Sequence, residues 1–235
     1  MSQYFSMLYG MSDWTMIFYI LPCVVIASFV YGYFTMLTAK RLGCAENAPL
    51  NPLKYIDIIG FVFQCIIGFG WARCPEVETS KLSKGKKVLL YLAGPIANVA
   101  AALASLVLQA VLMIIFTFAD ILDNVVVDSV LAVFNLLIWV NLMLAMTHII
   151  PIPPFSGYKT LKVLFFEKSE NKNIKKIEEA GKLVFVTCAV IGVLAVVAEI
   201  PVQAVFNALT DAQEAVVDFI TDGRYSAVEL FICMK

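Results

Sequence analysis

The sequence predicts an all-α polytopic membrane protein with about four transmembrane helices and one re-entrant or β-hairpin segment. Three observations predict it. Of 235 residues, 61% are hydrophobic and only 15% charged, and the mean hydropathy is +0.86; a water-soluble domain of this length could not bury so much apolar surface. Several apolar runs reach the ~20 residues that cross a bilayer as a helix. The cations are segregated: of 17 Lys and Arg, eight lie in 40–87 and seven in 159–182, leaving only Arg224 and Lys235 elsewhere.

Each element follows from its own stretch. Residues 1–13 lack Lys and Arg and carry aromatic residues suited to an interface. With no basic region ahead of it and no small-residue cleavage site, the first apolar run reads as a retained helix, about 14–37, ending in Lys40 and Arg41. The run 56–70 is short for a full span and is interrupted by Gly60, Gly68 and Gly70, which fits a re-entrant or interfacial hairpin shielded by protein. Helix two, about 87–118, is too long for one straight span, and Gly94-Pro95 marks a break or kink. Asp120, Asp123 and Asp128 form an acidic connector to helix three, about 125–150, which Pro151, Pro153 and Pro154 terminate. Residues 167–179 read as a polar surface helix and 183–209 as helix four. The chain thus divides into a membrane-embedded body, 1–210, and an acidic amphipathic tail, 211–235, lying on the membrane.

By the positive-inside rule, both Lys-rich segments are expected in the cytoplasm and the N-terminus, acidic connector and tail outside a cell membrane. The net charge of −1 says nothing about nucleic acid, and no basic stripe suggests such a partner, so none is expected. The six cysteines form no C-x-x-C pair and read as reduced thiols. The single imidazole, His148, cannot by itself supply a catalytic zinc site, which usually takes two or more His ligands.

Four stretches carry a resemblance. They are Thr38-Ala39-Lys40-Arg41-Leu42-Gly43 through Asn51-Pro52-Leu53-Lys54-Tyr55-Ile56-Asp57-Ile58-Ile59-Gly60; Gly68-Phe69-Gly70-Trp71-Ala72-Arg73; Ala93-Gly94-Pro95-Ile96-Ala97-Asn98; and Asn141-Leu142-Met143-Leu144-Ala145 through Pro151-Ile152-Pro153-Pro154-Phe155-Ser156-Gly157. In order and spacing, residues 20–165 resemble the site-2 protease family of intramembrane zinc metalloproteases in its compact prokaryotic form. That resemblance implies an H-E-x-x-H helix whose two His bind zinc while the Glu activates water, and an Asp from a Pro-Pro-Leu-Asp-Gly turn as third ligand. In the family, the part of the first stretch that matches Asn51–Gly60 tends to read Asn-Pro-Leu-Lys-His-Ile-Asp-Pro-Ile-Gly.

The departures fall on the chemistry. At the positions matching the family site stand Tyr31, Gly32, Thr35 and Ser156, and His148 replaces an expected Asn. Neutral hydroxyls are poor zinc ligands and Gly32 cannot act as a base, so no catalytic residue, metal or cofactor is expected, although the family uses zinc. Plainer readings stand beside this. Tyr31, Tyr33 and Phe34 can simply pack, Ser28-x-x-x-Gly32 can let a helix approach closely, and His148 can hydrogen-bond inside the bundle.

Asn98, Asn141, His148 and the Gly68-Phe69-Gly70-Trp71 segment are, on the resemblance, candidate contacts to a bound peptide. The sequence reading is therefore a pseudoprotease that binds a single-pass membrane protein or extended peptide without cutting it, the last segment pairing with the client as an edge strand. The alternative is an active intramembrane metalloprotease drawing ligands from Asp57, cysteines or a partner. A permease or channel would need a row of intramembrane charges, and the sequence offers too little, Glu199 standing in the predicted helix 183–209 near Pro201. The lipid bilayer is the certain partner, and homo- or hetero-oligomers stay open.

Overall fold

A computed structural model describes residues 16–73, 76–166, 181 and 193–226. It is helical throughout, with no β-strand among the described residues. Helix α1 spans Met16–Arg41, and α2, Ile58–Ile67, follows a short 3₁₀ turn at Pro52–Tyr55. Helix α3 is Lys84–Phe118 and α4 is Val125–Ile149. The short α5, Ser156–Leu161, runs into a π-helical turn at Lys162–Phe166, and α6 is Val193–Ile220. Three helices are long and apolar enough to cross a membrane among the described residues: α1, α3 and α4. The protein is a polytopic helical membrane protein.

The ends of these helices are written in the sequence. Helix α1 runs one turn past its expected end and stops at Gly43, whose φ of +77° lets the Gly43 and Cys44 amides fold back on the Lys40 and Ala39 carbonyls. Asn124 caps α4, its side chain accepting from the Val126 amide at 2.8 Å. Helix α3 passes through Gly94-Pro95 without losing its helical assignment; at 35 residues it is about 52 Å long, more than a bilayer core requires.

The short run after residue 56 takes a different form from a β-hairpin. Asp57 caps α2, accepting from the Gly60 amide at 2.9 Å, and Gly68, at φ +72°, closes it. The chain then returns as an irregular stretch, 69–73, laid on α2. A Cβ at Gly70 would overlap the Gly60 carbonyl, and one at Gly60 would overlap the Trp71 carbonyl, so two glycines permit this backbone-on-backbone contact.

Helix α4 sits centrally, against α1, α3, α5 and α6. Its facing residues Leu136, Ile138, Trp139, Val140 and Met143 form a core with Ile20, Val24 and Ala27 of α1 and Ala198, Val202 and Phe206 of α6. Helix α6 continues unbroken past residue 210, the expected start of a separate tail. The reason is packing: Val217 is fully buried against Met113, Leu122 and Val127. Gln213 adds polar contacts, donating to the Leu106 carbonyl at 3.1 Å and to Gln109 Oε1 at 3.2 Å, while Gln109 donates to Asn135 Oδ1 at 2.9 Å. Such interhelical amide bonds are worth about 0.6 kcal/mol each within a bilayer. The expected surface helix at 167–179 and the start of helix four lie outside the described residues, as do residues 227–235.

Candidate functional site

The residues singled out around the α1 end converge. Tyr31, fully buried on α1, meets Ser156 at the start of α5, their hydroxyl oxygens 2.8 Å apart. Thr35, one turn on, donates back to the Tyr31 carbonyl at 2.8 Å, which satisfies its hydroxyl inside its own helix. The His148 ring of α4 stacks on Tyr31 with centroids 3.8 Å apart and planes at 21°, and Phe155 stands edge-on to it at 5.4 Å. From α3, Gly94 leaves room for the tyrosine: a Cβ there would lie 2.5 Å from Tyr31 Cε2 and 2.7 Å from Thr35 Oγ1.

Gly32 has an equally specific neighbour. A Cβ added to it would run into the ring of Tyr55, with 2.6 Å left to Tyr55 Cβ. Tyr55 is 2% exposed, packs edge-on to Phe29 at 6.0 Å and donates to the Pro49 carbonyl at 2.7 Å. Burial, with Tyr33 nearby, raises its phenol above the ordinary value and keeps it a neutral donor. A ring thus fills the space that a longer side chain at position 32 would need. The sequence carried a signal for this pair, since Tyr55 stands where the family tends to place the smaller His and Gly32 where it places Glu.

Zinc does not fit these side chains. Tyr31, Thr35 and Ser156 offer neutral hydroxyls already engaged with one another or with backbone, and His148 commits Nε2 as acceptor to the Ala72 amide at 3.2 Å. No cluster of three His, Cys, Asp or Glu exists among the described residues. Asp57 is occupied as a helix cap, and among the described residues Cys23, Cys44 and Cys65 form no disulfide.

The remaining candidates divide by what holds them. Phe69 is fully buried in the main core, Gly68 donates its amide to the Gln64 carbonyl, and Gly70 rests on Gly60. The stretch 69–73 offers little free edge. The amides of Ala72 and Arg73 are taken by His148 Nε2 and by the Tyr55 carbonyl at 2.9 Å. Asn98 reaches the Ala27 carbonyl of α1 at 3.4 Å and Asn141 bonds Leu137 of its own helix at 2.8 Å; both are buried, and the Oδ1 of each lacks a hydrogen-bond partner.

Trp71, Ala72 and His148 line an open cavity of about 710 Å³ with Tyr55, Phe155 and Pro154, and Lys54, Arg73 and Lys159 stand on its wall. With Nε2 accepting, the His148 proton sits on Nδ1, which is buried and has no hydrogen-bond partner.

No family profile and no solved structure matches the chain. It spans about half the length of the curated relative it matches. Over 134 residues, 54% of this chain and 56% of the other, it is 30% identical to YwhC of Bacillus subtilis (strain 168), a protein named as a zinc metalloprotease.

Proposed function

We propose that this chain is a site-2-protease-like membrane protein that holds a peptide or single-pass client without cleaving it. The observation that carries the reading is the Tyr31–Ser156 contact at 2.8 Å with His148 stacked on it. On the alignment to the family motifs, these are the helix and the Pro-rich turn that would bring zinc ligands together. Two neutral hydroxyls meet there instead. The likeness to a metalloprotease supports the scaffold, and the side chains argue against its chemistry.

The client's place is the 710 Å³ cavity. Its wall mixes aromatic and apolar side chains with Lys54, Arg73 and Lys159 and with Asp57 and Glu76, a lining suited to the apolar and polar groups of an unwound peptide. Pairing along 69–73 is not the main contact, because two successive amides there are already bonded internally. A photo-cross-linking residue at Trp71 should therefore trap an intact membrane-protein adduct that the same residue at lipid-facing Leu108 does not. Truncated adduct fragments at Trp71, or identical adducts from both positions, would sink the proposal.

Both Lys-rich segments face the cytoplasm in this reading, motivated by 15 of the 17 cations lying in 40–87 and 159–182. In intact cells an impermeant thiol reagent should label Cys233 and spare Cys74. The reverse accessibility would overturn the orientation.

A further inference from the structure

We propose that one face of α6 is a docking surface for a transmembrane helix of another protein that carries a Lys or Arg at bilayer depth. From Val193 to Leu209 the only polar residues of α6 are Glu199, Gln203 and Asn207. Each follows the last by four residues, so the three share one side of the helix. Phe206 stands edge-on to Trp139, near the middle of α4, with ring centroids 5.5 Å apart, and Ala198 and Val202 join the same core. Helix α4 is long and apolar enough to cross the membrane, which places this polar ladder within the bilayer.

The ladder lies beside the buried line of α6 and not on it. Ala198, Val202 and Phe206 are buried, whereas Glu199 and Gln203 are half-buried and Asn207 is exposed. Gln203 donates to Asn207 Oδ1 at 2.8 Å, which joins the two amides along the helix. Glu199 has no such relief, since its Oε1 is buried and accepts no hydrogen bond. A carboxylate at this depth is costly unless a cation or a donor meets it. Beside the ladder, Ala204 and Ala208 are exposed, and such small side chains let a second helix come close enough for interhelical hydrogen bonds.

Charge identifies the occupant. No Lys or Arg occurs in 1–39, 88–158 or 183–223, so this chain has no cation within its membrane-spanning lengths to set against Glu199. A second copy is no better supplied, and two copies meeting through this face would bring one Glu199 against the other. Acyl chains offer neither charge nor donor. A different transmembrane helix with one basic side chain at the level of Glu199 supplies both, and a polar side chain further along it has Asn207 to meet.

The test is energy transfer in phosphatidylcholine vesicles between the fluorescently tagged full chain and synthetic single-span Leu-Ala helices. One helix is wholly apolar, and a set carries a single Lys stepped along the span. The best-placed Lys helix should associate with the wild type roughly tenfold more tightly than the apolar one. E199Q should remove most of that preference, and N207L should weaken it about threefold. E199K should transfer the preference to a helix with Glu at the same place. If E199K loses helical circular dichroism, E199Q and N207L carry the test. Four results overturn the proposal: no preference for any Lys helix, an undiminished preference in E199Q, no transfer in a folded E199K, or a dimer of the full chain that E199Q dissolves in native mass spectrometry. The last would assign the face to a second copy. None of these outcomes depends on whether the cavity beside His148 binds a client.

Discussion

Gly32→Glu, made alone, should destabilise the protein by about 3–5 kcal/mol, enough to abolish a monodisperse preparation. The new Cβ would overlap the Tyr55 ring, and the carboxylate beyond it would enter a space that ring now fills. Tyr55 cannot swing away cheaply. It is 2% exposed, its hydroxyl holds the Pro49 carbonyl at 2.7 Å, and its own carbonyl holds the Arg73 amide at 2.9 Å. Moving it would unseat both the 3₁₀ turn and the stretch 69–73. Overpacking of this kind costs about 1–3 kcal/mol, and a carboxylate brought into a dry interior adds to that. Gly32→Ala should fall between, and Tyr55→His should rescue much of the Gly32→Glu loss. Thermal unfolding in detergent reads all four proteins. A Gly32→Glu loss below about 1 kcal/mol, or no rescue by Tyr55→His, would show that the pair is not coupled.

Much of the fold was legible in the sequence, for reasons these residues make plain. Membrane helices announce themselves by uninterrupted apolar length, and the helix 125–150 was placed within a residue because an acidic connector precedes it and Pro151 follows it. The convergence of positions 31 and 156 was legible only through motif order, since nothing local says that a Pro-rich turn 125 residues away will reach Tyr31. Periodicity failed where polar and apolar contacts across helices decide. The Gln109–Asn135–Gln213 network and the burial of Val217 carry α6 past residue 210, whereas the acidic composition of that stretch suggested a separate tail. Phe69, a motif residue read from the sequence as a client contact, lies in the core. A motif fixes where a backbone goes more firmly than which face of it remains available.

Introducing the ligand set of the family that the chain resembles should create a zinc site. Tyr31→His, Gly32→Glu, Thr35→His and Ser156→Asp place two imidazoles one turn apart on α1 and a carboxylate on the turn that now meets Tyr31, leaving an open position for water. Tyr55→His must accompany them to clear the space beside position 32. That five-substitution variant should bind zinc stoichiometrically, while recovered proteolysis also requires supporting hydrogen bonds that the present site does not supply. The central claim is that neutral side chains fill the place of a zinc centre in an otherwise site-2-protease-like scaffold. Its most direct test is elemental analysis of both proteins purified without chelator. The account predicts negligible zinc in the unaltered chain and a stoichiometric amount in the variant. Stoichiometric zinc in the unaltered chain, lost on His148→Ala or Asp57→Ala, would contradict it.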